Sequence, residues 1–110
     1  MKPDKVNIHG VIYTIEYFNK PSEVDIFKRD SLWGQIDYWT RTIRVYDNNR
    51  NTQDIWKTIM HEILHGIASD LNLKDLDKNE DTIDMLARSL VDTLFRNDWL
   101  NFGEKNDHIS

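Results

Sequence analysis

The sequence contains no cysteine. This absence excludes disulfide bonds, thiolate zinc sites and cysteine nucleophiles, and it leaves histidine and carboxylate side chains as the strong metal ligands. No apolar run approaches the roughly 20 residues of a membrane-spanning helix, so we expect no membrane partner. The opening residues Met1-Lys2-Pro3-Asp4 do not begin a signal peptide, and we therefore expect a cytoplasmic protein.

Long basic stretches are also absent. No run of basic residues is longer than Lys28-Arg29, and the formal net charge is -5 at pH 7, so we expect no nucleic-acid partner. The 110 residues are 39% hydrophobic and include four Trp, four Tyr and four Phe, which is typical of a folded chain. We expect residues 1–110 to form one domain with a disordered tail at 103–110, so any active site must be built from the core elements.

Runs of β-branched and aromatic residues predict the strands. Residues 5–18 have the pattern of a short strand and a longer strand separated by a turn at His9-Gly10. Two further alternating runs, Trp33 to Tyr38 and Thr42 to Tyr46, predict a hairpin. The charged stretch at 22–31 is expected to be a loop or a short helix.

Two amphipathic helices are predicted after the strands. Asn51 and Thr52 are residues that favour a helix N-cap, and the apolar spacing that follows predicts a helix from Thr52 to Leu71. A polar connection covers 72–79, and helical spacing resumes through about Asn97. The expected fold class is α+β, with a small, mostly antiparallel sheet of three to four strands packed on two main helices.

The first predicted helix contains His61-Glu62-Ile63-Leu64-His65, which matches the H-E-x-x-H pattern. Two histidines four residues apart project from one helix face, about 40° apart around the axis, so both imidazoles can reach one zinc ion. Glu62 lies farther around the helix axis, where its carboxylate can act as a general base toward a water molecule. The composition of this chain predicts roughly 0.006 chance matches, so zinc binding is favoured over a core helix that carries two hydrogen-bonded histidines.

A third ligand must come from outside the motif, because a catalytic zinc ion usually has three protein ligands and one open position. His9 falls in a predicted turn and His108 in the predicted tail, and both are expected to be exposed. Helical geometry turns Glu80 toward the first helix, Asp84 less so and Asp81 away from it. Glu80 is the predicted third ligand; Asp84 is the alternative, or the acceptor that orients a ligand imidazole. Favourable charge at a helix N-terminus also explains acidic residues here, and for Asp81 it is the preferred explanation.

The order of these parts resembles a minimal zincin. It is similar to the ImmA/IrrE-like metallopeptidase domains, particularly the short stand-alone versions from bacteriophages, over roughly residues 6–99. In that family the glutamate of an E-x-x-x-[ND]-x-x-A pattern supplies the third ligand, and Glu80, Asp84 and Ala87 match its positions. The resemblance also implies a sheet edge on which an extended peptide can pair, and the strand predicted at 33–38 is the candidate.

The sequence therefore predicts a zinc metallopeptidase acting on a peptide or protein substrate. His61, His65 and Glu80 are the predicted ligands of Zn²⁺, and Glu62 is the predicted general base. The alternative is a non-catalytic zinc-binding interaction module of a phage, directed at a host protein in the host cytoplasm. The presence of Glu62 favours the enzyme, because a structural zinc site needs ligands but no base.

Overall fold

A computed structural model describes residues 2–97. The elements within that range are β1 (Lys5–Ile8), β2 (Val11–Phe18), β3 (Gly34–Asp37), β4 (Thr42–Tyr46), α1 (Thr52–Asp70), α2 (Lys74–Lys78) and α3 (Glu80–Arg96). They form an α+β fold, as predicted from the sequence. The tail predicted to be disordered, 103–110, lies outside the described residues.

The four strands form one sheet in the order β1-β2-β4-β3. The β1/β2 and β3/β4 pairings are antiparallel, whereas β2 and β4 are parallel, so the sheet is mixed. The expectation of a mostly antiparallel sheet is correct for the two outer pairings and wrong for the central one. A hairpin pattern predicts the pairing of strands that are neighbours in the sequence. Strands β2 and β4 are separated by a long connection that contains β3, so no hairpin pattern predicts their pairing.

The turn predicted between β1 and β2 is a two-residue loop. His9 and Gly10 have positive φ angles of 51° and 89°, and they connect the paired residues Ile8 and Val11. Positive φ at both positions is characteristic of the tight turns whose twist matches that of the flanking strands.

The charged stretch at 22–31 is mainly a loop, preceded by a 3₁₀ turn at Pro21–Glu23. The loop is organised by Asp25, which is buried. Its carboxylate accepts hydrogen bonds from the backbone N–H groups of Phe27 and Asp30 at 3.0 and 3.1 Å. It also accepts one from the Gln35 side chain at 3.1 Å, which ties the loop to β3.

Helix α1 packs on one face of the sheet. It begins at the predicted cap, where the Asn51 side chain accepts a hydrogen bond from the Asp54 N–H at 2.8 Å. The core contains buried residues from the sheet and from α1: Ile8, Tyr13, Ile15, Ile43, Val45, Ile55, Trp56, Ile59 and Met60. A Cβ atom at Gly66 would lie only 2.9 Å from the Ile8 side chain, so the glycine permits a close approach of helix and sheet.

Helix α3 packs against α1 through Ile83, Ala87 and Val91, which are fully buried. The expectation that 72–79 is only a polar connection was wrong, because it contains the five-residue helix α2. Its single turn is too short to produce a repeating apolar pattern, so no periodicity predicts it. No helix in the part of the chain described here is long and apolar enough to cross a membrane.

Candidate metal centre

Helix α1 places His61 and His65 side by side. The centroids of the two imidazole rings are 5.0 Å apart. Their side chains are 18% and 10% exposed, so both rings lie against the protein while one edge of each is open to solvent. Both Nε2 atoms point toward the start of α3, as their contacts with that helix show.

Glu80 is the first residue of α3 and lies between the two histidines. Its carboxylate is 2.9 Å from the Nε2 atom of His61 and 3.1 Å from the Nε2 atom of His65. The start of α3 is held by Asn79, whose side chain accepts a hydrogen bond from the Thr82 N–H at 3.1 Å. The structure thus brings together the three residues that the sequence predicted as ligands, although their ligand role stays a prediction.

The geometry of these three residues is compatible with a zinc ion. One ligand atom from each of them lies within 4.8 Å of the other two. Tetrahedral zinc with ligands at 2.0–2.2 Å requires ligand atoms separated by about 3.4 Å. Glu80 has the freedom to adjust, because its side chain is 68% exposed. Two imidazole nitrogens and one carboxylate are also a donor set found in catalytic zinc sites.

Each histidine has a second carboxylate at its other ring nitrogen. The Nδ1 atom of His65 is 2.7 Å from Asp77, and that of His61 is 3.4 Å from Asp84. An Nδ1–H group that donates to a carboxylate leaves the Nε2 lone pair available for a metal. Asp84 therefore lies at an orienting position, while Glu80 faces both Nε2 atoms.

Asp77 is a site residue that the sequence patterns did not predict. Asp77 lies in α2, which no apolar pattern predicted. The one sequence signal that could have found it is its position in an acidic stretch close to Glu80. Asp81 is exposed at the start of α3. His9 is far from the centre in sequence and pairs instead with Asp70 at 2.6 Å, and His108 lies outside the described residues.

Glu62 is buried beside the two histidines, with 7% of its surface exposed. Burial raises its pKa to about 7, although the neighbouring His61 and His65 act in the opposite direction. A Cβ atom at Gly34 would lie 2.6 Å from the Thr58 side chain and 3.0 Å from the Glu62 carboxylate. Only a glycine at this position of β3 lets the edge strand approach Glu62 so closely.

The pKa values of His65 and Glu80 reflect their mutual contact. Burial acts to lower the pKa of His65, but its hydrogen bonds to Asp77 and Glu80 outweigh burial and raise it. Burial acts to raise the pKa of Glu80, but the hydrogen bonds from His65 and His61 outweigh it and lower that pKa. Both shifts favour the charged forms, and therefore favour an ion pair between His65 and Glu80 when no metal is bound.

Two cavities adjoin this centre at Glu62. The first, called here the β3 groove, has a volume of about 480 Å³ and extends along β3 past Gln35, Ile36 and Tyr38 to Glu80. The Tyr38 hydroxyl donates a hydrogen bond of 3.2 Å to the His65 carbonyl, which links the end of this strand to α1. The second cavity has a volume of about 260 Å³ and lies beside the earlier turns of α1. Gly34, His61 and Glu62 line both, so the cavities meet at the predicted base.

Comparisons of the chain with protein-family models, with curated proteins and with solved structures found no match.

Proposed function

We propose that this protein is a zinc-dependent metallopeptidase. The observation that carries the proposal is the convergence of the His61 and His65 Nε2 atoms on the Glu80 carboxylate, next to the buried carboxylate of Glu62. A structural metal site needs ligands and would normally be closed by a fourth one, whereas this arrangement opens onto the β3 groove. An open coordination position beside a base is typical of hydrolytic zinc sites.

In this proposal His61, His65 and Glu80 hold the ion, and two further carboxylates orient the imidazoles. The 2.7 Å contact of Asp77 keeps a proton on Nδ1 of His65, and Asp84 has the same role toward His61. When bound, zinc supplies Lewis acidity, which polarises a scissile carbonyl and makes a nearby water more acidic.

Glu62 is the proposed general base. Its carboxylate takes the proton of the attacking water and delivers it to the amine that leaves. A base is most effective when its pKa lies near the working pH, and in the metal-free protein burial raises the pKa of Glu62 to about 7. The close approach of Gly34 to the Glu62 carboxylate restricts the orientations that this side chain can adopt.

The proposed substrate is a peptide or a segment of a protein. In the sheet order β1-β2-β4-β3, strand β3 pairs only with β4 among the described strands, so its other edge faces the groove. An extended peptide can add to such an edge through main-chain hydrogen bonds, which aligns its carbonyl groups with the nearby metal centre. This use of β3 agrees with the resemblance to the ImmA/IrrE-like domains.

The test compares wild type with Glu62→Gln for zinc content and for cleavage of a peptide library. We expect both proteins to bind one zinc ion, and the variant to cleave about 10²- to 10⁴-fold more slowly, which is the usual contribution of a general base. Glu16→Gln is the control, because Glu16 is exposed on β2. Equal cleavage rates would disprove the role of Glu62. Zinc binding by wild type without any cleavage would favour the interaction module, and no zinc binding would overturn both functions.

A further inference from the structure

The smaller cavity beside the metal centre is lined by the cationic side chains of Arg50, Lys57 and Arg88. Its lining also includes three carboxylates, those of Asp54, Glu62 and Asp84. We call this cavity the basic pocket. It continues along the same face of α1 that carries His61 and Glu62, so a group bound in it would lie next to the proposed site of cleavage.

Arg50 is held rigidly in this pocket. Its guanidinium donates hydrogen bonds to the backbone carbonyls of Tyr46 and Asp54, at 2.6 and 3.0 Å, and to the Thr58 hydroxyl at 2.7 Å. It also lies 4.5 Å from the centre of the Trp33 ring. These partners are uncharged and fix the position of the cation, while the nearby carboxylates of Asp54 and Asp47 offset part of its charge.

The other two cations differ from each other. Lys57 makes no ion pair with any residue in the range 2–97, whereas Arg88 pairs with Asp84 at 2.8 Å. Asp54 also lines the pocket and offsets part of the charge. Arg50 and Lys57 therefore remain as the two cations to which an incoming anion can bind without breaking an existing ion pair.

The β3 groove differs from the basic pocket in its charged side chains. Its lining includes Asp77 and Glu80, and no lysine or arginine is among the described residues that line it. Leu32, Ile36 and Tyr38 supply apolar surface there. A peptide that crossed the metal centre from the groove to the basic pocket would therefore meet an apolar and acidic surface first, and the cations Arg50 and Lys57 beyond Glu62.

We propose that the basic pocket binds a carboxylate group of the substrate, on the side of the scissile bond nearest Glu62, through Arg50 and Lys57. This inference rests on the proposed peptidase function and names its substrate class: peptides with an acidic residue, or a free C-terminus, next to the cleaved bond. The leaving amine must lie near Glu62 to receive a proton, so the residue that carries this amine is the one whose carboxylate enters the pocket. Pairing of a substrate carboxylate with Arg50 and Lys57 would contribute more to the choice between substrates than to overall affinity.

The test is a titration of the zinc-loaded protein with three small probes. Binding is measured from the amide chemical shifts of Gly34 and Lys57. N-acetylglutamic acid α-amide presents a side-chain carboxylate, N-acetylalanine presents a C-terminal carboxylate, and N-acetylglutamine amide is the neutral counterpart. We expect one of the two carboxylates to bind at least about tenfold more tightly than the neutral probe, which corresponds to about 1.4 kcal/mol. Tighter binding of N-acetylglutamic acid α-amide identifies an acidic side chain as the group that the pocket binds. Tighter binding of N-acetylalanine identifies a C-terminal carboxylate.

Substitutions connect this binding to the pocket. Lys57→Glu is expected to abolish the preference for a carboxylate, and Lys57→Gln to weaken it by a smaller factor. Lys5→Glu makes the same change of charge on β1, at the opposite edge of the sheet from β3, and is expected to leave the preference unchanged.

The inference is overturned if the neutral probe binds as tightly as both acids. It is also overturned if the preference persists in Lys57→Glu, because the carboxylate would then be bound elsewhere, for example at the metal ion. Neither result depends on turnover, so this inference can fail while wild type still cleaves peptides in a Glu62-dependent way. Conversely, absence of turnover in a protein that binds zinc would leave the titration result readable.

Discussion

The two halves of the metal centre are built differently. Helix α1 contributes His61, Glu62 and His65, whose side chains are buried or nearly so. The segment from α2 to α3 contributes Asp77 and Glu80, whose side chains are 35% and 68% exposed. The α1 half is therefore positioned by the core, while the other half is positioned mainly by its contacts with the two histidines. If the centre binds zinc as proposed, we expect α1 to set its reactivity and the exposed carboxylates to tune its affinity for the ion.

The largest effect is expected from the α1 half. His65→Ala should remove one of the three proposed ligands, and zinc affinity should fall by more than the roughly 10- to 100-fold typical of losing an orienting partner. Cleavage should be lost with the metal. Isothermal titration with zinc measures the change, and His9→Ala is the control because His9 pairs with Asp70 instead. If His65→Ala still bound zinc tightly, α1 would not be the half of the centre that contributes most to zinc affinity.

The second prediction concerns the cost of burying Glu62 in the metal-free protein. A glutamate that ionises near 4.5 when unfolded and at about 7 in the folded protein keeps its proton longer in the folded state. The unfolded state thus binds fewer protons between these pH values, and the free energy of unfolding falls as the pH rises from about 4.5 to 7.

Glu62→Gln removes this contribution. Relative to wild type, the variant should therefore gain about 3 kcal/mol in unfolding free energy between pH 4.5 and 7. Urea unfolding in the presence of a chelator measures the difference at each pH, and Glu16→Gln serves as the exposed counterpart. A difference that does not change with pH would show that the Glu62 carboxylate is not buried in the way described.

The smallest effects are expected from the two orienting carboxylates, and they should differ from each other. Asp77 is 2.7 Å from His65, whereas Asp84 is 3.4 Å from His61 and also pairs with Arg88. We expect Asp77→Asn to weaken zinc binding by up to about 100-fold, and Asp84→Asn by about tenfold or less. Competition with a coloured chelator measures the zinc affinity of both variants. A larger loss of affinity in Asp84→Asn than in Asp77→Asn would contradict this prediction.

Local patterns predicted most of the secondary structure. The caps and apolar spacing located α1 and α3 to within one or two residues of their observed ends, and alternation located β3 and β4. These signals are local, because each arises from residues within one or two turns or along one strand. The parallel pairing of β2 with β4 and the single turn of α2 have no comparable local signal, and both were missed.

By itself, the sequence determined the spacing of His61, Glu62 and His65 on one helix, because four residues of an α-helix return to nearly the same face. It also selected Glu80 from an acidic stretch by the direction of the α3 apolar face. Only the tertiary structure decided that Asp77 reaches His65, that Gly34 approaches Glu62, and that Arg50 and Lys57 line one pocket beside them. These contacts join elements distant in the sequence, and their distances follow from how α1, α3 and the sheet pack rather than from any repeat along the chain.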